Sequence, residues 1–170
     1  MKKTVVTLAI YLLSFASISF GQQDTTWNRL NWLVGDWVGE GSGAPGQGAG
    51  WFSLLPDLNG KIMIRKSHSE YPATKDKPEI IHDDLMVVYF DNANQTDKAI
   101  YFDNEEHTIN YTITCSDTAF VFTSNKAENG TVFRLTYIPL DKNTVDVKFE
   151  ISRDSEKFLT YTEGKCRRKK

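Results

Sequence analysis

Two cysteines, three histidines and five prolines are all that the 170 residues hold of these types, and each scarcity closes off a class of protein. Cys115 and Cys166 can form one bridge at most, so a small fold stapled by several disulfides is excluded, and their spacing leaves open whether they pair. His68, His82 and His107 show neither HxH nor HExxH spacing, which removes the tight metal motifs of zinc hydrolases. No G-x-S-x-G surrounds a serine, covalent catalysis is disfavoured, and no residue is assigned a catalytic role. Positive charge is not in surplus either: 20 Lys and Arg stand against 22 Asp and Glu, which argues against a nucleic-acid partner.

Long apolar runs are missing everywhere except at the start. Lys2 and Lys3 precede an apolar stretch from Thr4 to Phe20, too short and too early for a membrane span, with small residues at Ser19 and Gly21. The pattern predicts a signal peptide over residues 1–21, export to the periplasm or the extracellular space, and a single mature domain over 22–170 without a membrane span. Loss of the two leader lysines leaves 18 basic against 22 acidic residues, a charge of −4.

Helical periodicity is confined to one place. Trp27, Leu30 and Leu33 or Val34 recur at helical spacing over 25–34, after which the chain alternates short β-type runs with turn residues. Ten strands are predicted, over 35–41, 49–55, 60–71, 81–91, 97–103, 107–115, 118–124, 131–138, 144–152 and 158–166. Ile109, Tyr111, Ile113 and Cys115 alternate with polar neighbours, as do Val145, Val147, Phe149 and Ile151, so these strands have one dry face. A long antiparallel meander with a dry face and no helix to cover it removes its edges by closing. The expected fold is an all-β, up-and-down barrel plugged by the short helix.

Seven of the eleven glycines fall between Gly35 and Gly50. No lysine stands inside that stretch and a β-type run follows it, so it is not a phosphate loop; it reads as a hairpin loop over the barrel mouth. Its opening, Gly35-Asp36-Trp37 after the short helix, resembles the Gly-x-Trp signature of the lipocalin-like (calycin) family, and the wider glycine run resembles nitrobindin-like barrels and exported lipocalin-like proteins. The resemblance implies that Gly35 and Trp37 mark the closed end and that a basic residue of the last strand packs across the tryptophan. Arg167 or Arg168 stands where that partner is needed, with Arg167 taken as the signature residue; otherwise the run from Arg167 to Lys170 reads as a solvated tail. Nitrobindin-like proteins hold haem through a histidine late in the chain, and no histidine follows His107, so haem is not carried over.

Hairpin arithmetic brings the three histidines to one rim. His68 shares a strand face with Ile62 and Ile64 and is expected to point inward, as are His107 and, beside Asp84, His82. The expected ligand contacts are His68, His82, Asp84, His107, Trp51 and Tyr111, around a small hydrophobic or amphipathic molecule held in the barrel. Metal is left open, with His68, His82 and His107 as its candidate ligands. Two other readings use the same residues: a small enzyme working by acid–base or metal-assisted chemistry, and a filled barrel with a structural role. Oligomeric state is not readable.

Overall fold

The computed structural model describes residues 26–44 and 48–170. The leader assigned to residues 1–21 and the middle of the glycine stretch, residues 45–47, lie outside the described residues. Helix α1 (Thr26–Leu30) runs into a 3-10 turn (Asn31–Leu33), and ten strands follow: β1 (Gly35–Gly39), β2 (Ala49–Asp57), β3 (Ile62–Tyr71), β4 (Ile80–Asp91), β5 (Thr96–Asp103), β6 (Thr108–Cys115), β7 (Phe120–Ser124), β8 (Val132–Asp141), β9 (Thr144–Ser152) and β10 (Leu159–Arg168). Each pairs antiparallel with its predecessor, and β1 pairs with β10, so the ten form one closed barrel. The all-β meander expected from the alternation is the fold observed.

Closure depends on the short helix and on Trp37. Leu30 and Leu33 are fully buried, and Trp37 sits beneath them with its indole N–H donating to the Leu33 carbonyl at 2.8 Å. The ring of Trp32 packs 5.3 Å from that of Trp37. Gly35 has φ +132°, and a Cβ there would press on the guanidinium of Arg168, so the position needs glycine for two reasons.

The basic partner is Arg168, which corrects the assignment of Arg167. Register sets Arg168 opposite Trp37, its guanidinium carbon 4.2 Å from the ring centroid, and its two terminal nitrogens donate to the carbonyls of Val34 and Trp32 at 2.6 Å each. Arg167 faces outward, mostly exposed, and pairs with Glu40. Adjacent residues on a strand point to opposite faces, so one position decides between core and solvent.

Above Trp37 the interior is filled by aromatic rings. Trp37 stacks on Phe52 at 5.8 Å, Phe52 meets Tyr137 at 5.5 Å, Tyr137 meets Phe122 at 5.7 Å, and Tyr111 and Tyr101 continue the series at 6.4 and 6.3 Å. Cys115 and Cys166 lie on β6 and β10, which are not neighbours, and no disulfide joins them. Burial pushes the Cys166 thiol up to about 11. Its alkylation by iodoacetamide at pH 8 is therefore expected to run about 100-fold slower in the native protein than in the unfolded chain, where the thiol is ordinary. Equal rates would show that β10 opens freely.

Candidate functional site

Register carries the inward direction around the wall. Trp37 opposes Phe52, Phe52 opposes Ser67, Ser67 opposes Asp84, and Asp84 opposes Asp103. One step toward the mouth from Asp84, His82 also faces inward, as expected. The β1–β2, β3–β4 and β5–β6 connections all lie at this open end, away from the helix.

A polar network lines this part of the wall. His82 Nε2 lies 2.8 Å from the Tyr101 hydroxyl and Nδ1 lies 3.1 Å from Glu105. The Tyr101 hydroxyl donates to Asp103 at 3.2 Å. Asp103 also accepts from the His107 backbone N–H and sits 2.9 Å from His107 Nδ1, which ties the β5–β6 turn to the wall. Burial works to raise the Asp103 pKa, but the bonds from His107 and Glu105 outweigh it and hold the carboxyl below its ordinary value. Burial pushes the Tyr101 phenol well up, with Asp84 and Asp103 adding to the effect, so it stays protonated and can donate.

Beneath this network lies a buried ion pair that sequence reasoning missed. The side chains of Arg65 and Asp84 are 9% and 7% exposed and in direct contact. Burial disfavours the Arg65 charge, yet Asp84 and the phenols of Tyr137 and Tyr101 more than offset it, so the guanidinium stays protonated. Burial raises the Tyr137 phenol to about 12 against the pull of Arg65, and neither its hydroxyl nor Arg65 Nε makes a hydrogen bond of good geometry. The available signal was the run Met63, Arg65, Ser67, Ser69, which shares one face of β3; flanked by isoleucines, it reads as the solvent side.

That inversion displaces His68. Ile62 and Ile64 occupy the outer face of β3, and His68 goes with them, stacked 6.2 Å from the outward Trp51 and 2.7 Å from Asp83 through Nδ1. The expectation that His68 points inward is thus corrected, and the three histidines do not converge: one is outside the wall, one inside, and His107 is exposed at the rim. Among the described residues no group of three or more His, Cys, Asp or Glu side chains is placed to hold a metal ion. Tyr111 is 2% exposed and belongs to the aromatic column below the mouth. No protein-family model matches the chain, and no curated protein matches it. Function in this chain is therefore to be sought in the chemistry of the site itself.

The opposite side of the mouth is lined by small groups. Thr162 and Gly164 face inward on β10, opposite Phe149 and Val147, yet both are exposed. A Cβ on Gly164 would meet nothing within 4 Å. The interior is full near the helix, while the space over Gly164 is open and reached by solvent. The glycine stretch, by contrast, is tightly apposed to its surroundings where it is described: a Cβ on Gly41 would overlap the Gly48 carbonyl, and one on Gly50 the His68 carbonyl. Those glycines serve close backbone approach as much as bending. Among the described residues no helix is long and apolar enough to cross a membrane.

Proposed function

We propose that this protein is an exported, single-domain binding protein, matured near Gln22, that holds a small apolar or amphipathic molecule in the mouth half of its barrel. The observation that carries the reading is the unfilled space over Gly164, which faces the His82–Tyr101–Asp103 network across the mouth. Apolar side chains, Phe149, Val147 and Ile109, supply the walls, and a few convergent polar groups supply orientation, which is the usual constitution of a small-molecule site. His82 Nε2 is engaged by Tyr101 and Nδ1 by Glu105, so a carbonyl or a hydroxyl on the ligand would take the place of one of these partners.

Organic extraction of protein purified from its own host, read by mass spectrometry, is expected to release a small molecule in near-stoichiometric amount. Gly164→Phe fills the open space and is expected to weaken binding of that molecule, or of a hydrophobic dye, at least tenfold, with little change in stability. His82→Ala is expected to weaken a ligand with a polar group and to spare a purely apolar one. Dye titration without saturation, or unchanged affinity in Gly164→Phe, would remove the site from the mouth.

One geometric feature favours a second reading. His82 is held between Glu105 and Tyr101, an arrangement that orients an imidazole for proton transfer. If broad substrate screening finds a turnover, His82→Ala should abolish it with the fold intact, and a turnover that survives the substitution excludes the reading.

A further inference from the structure

β4 is apolar on both faces, and the barrel interior uses only one of them. Register identifies the other. Outward positions of β2 to β5 form a row of Leu55, Ile64, Val87 and Ile100, bordered toward the mouth by Ser53, Lys66, Leu85 and Phe102 and toward the helix by Asp57, Ile62, Tyr89 and Lys98. The outward positions of β6 are Thr108, Asn110, Thr112 and Thr114, and those of β9 include Asp146, Lys148 and Glu150. The outer face of β2 to β5 is therefore apolar where the outer faces of β6 and β9 are polar. Trp51, Leu55 and Phe102 remain 46%, 46% and 43% exposed, and at the mouth edge of the face a shallow hollow of about 360 Å³ adds the polar groups of Ser67, Asp83, Asp84 and Asp103 to Trp51, Lys66, Leu85 and Phe102. A contiguous apolar face of this kind marks an interaction surface.

We infer that the face is covered by a second copy of the chain, in a dimer whose two-fold axis runs parallel to the strands between β3 and β4. Such an axis sets β3 over the partner's β4 and β2 over the partner's β5, and the same patch serves both copies. The central row is self-complementary in that arrangement, while in the row toward the mouth Lys66 comes over the partner's Leu85. Ile64 and Leu55 come over the partner's Val87 and Ile100, apolar on apolar. The small Ser53 comes over the partner's large Phe102, which fits a protruding ring to a recess. Asp57 comes over the partner's Lys98, which already holds Asp91 at 2.7 Å in its own chain, so a second carboxylate completes a cluster of both signs.

Size agrees with the arrangement. Four strands about 4.8 Å apart and about six residues long, at about 3.4 Å per residue, give a footprint of about 20 by 20 Å. Allowing for side-chain relief, that is on the order of 600–800 Å² of accessible surface per copy, close to the ~800 Å² of a standard interface. Sheets that pack face to face do so with aligned strands, which a strand-parallel axis provides.

Sedimentation velocity of the purified protein between about 1 and 200 μM is expected to give a species of twice the monomer mass. Val87→Arg, at the centre of the face, should yield a monomer with an unchanged far-UV circular dichroism spectrum. Thr112→Arg, on the polar outer face of β6, should remain dimeric. Should Val87→Arg fail to fold, Leu55→Glu at an already half-exposed position makes the same test. A wild-type monomer throughout the range, a dimer that survives both substitutions, or a monomer whose face instead binds neutral phosphatidylcholine vesicles would overturn the inference.

Discussion

Replacing Asp84 by alanine is expected to cost ~3–5 kcal/mol, because it leaves the Arg65 guanidinium charged and buried with no counter-ion. Arg65 cannot escape by losing its proton, since a guanidinium remains protonated at any pH the fold survives. Nor can it move readily to water: the wall of β3 and β4 fixes it above the Phe52 ring, 5.5 Å from the centroid. For a domain of this size the loss lowers Tm by roughly 10 °C, which chemical and thermal unfolding both read. Removing both charges should behave differently. Arg65→Met with Asp84→Leu abolishes the desolvation cost along with the attraction and is expected to restore most of the stability. If Asp84→Ala costs under ~1 kcal/mol, water reaches the pair and the mouth chamber extends deeper than the geometry indicates.

The second large effect is expected at the closed end. Trp37→Ala removes a fully buried indole that stacks on Trp32 and Phe52, donates to the Leu33 carbonyl and carries Arg168 on its face. The expected cost is ~3–5 kcal/mol, the usual range for deleting a core aromatic ring. Trp37→Phe keeps the stacking and loses the N–H, so it should cost less than half as much. Arg168→Ala belongs to the same unit, because it also strips the carbonyls of Val34 and Trp32 of their donor. Arg167→Ala removes only an exposed contact with Glu40 and should leave the urea midpoint where it was. Equal effects of the two arginine substitutions would contradict the register of β1 with β10.

Much of the mouth was legible one residue at a time. The rim positions of His82 and His107 follow from turns at Tyr71–Ile80 and Asp103–His107, whose ends are close in the chain, whereas parity left open which of His82 and Asp83 points inward. What failed was β3. Its isoleucines are outside and its arginine inside, because the apolar outer face of β2 to β5 makes hydrophobicity a false guide to the interior there. In β3 the alternation has a sign, but the apolar face is the outer one, and His68 was placed on the wrong side of the wall for that reason. The ion pair was hidden by the same inversion: Asp84 was recognised as a mouth residue, while Arg65, nineteen positions earlier, was given no role.

Local chemistry was enough to specify ten strands, their order and closure into a barrel, since alternation and turn residues act over a few positions and a meander pairs each strand with its neighbour in sequence. Only the tertiary structure decided which arginine of Arg167 and Arg168 meets Trp37, that Arg65 and Asp84 neutralise each other inside the wall, and that open space remains over Gly164. Each of these depends on the register of strands or on the volumes of side chains brought together from distant parts of the chain. A shift of one residue reverses every face, and the energy that forbids the shift exists only after the barrel has closed.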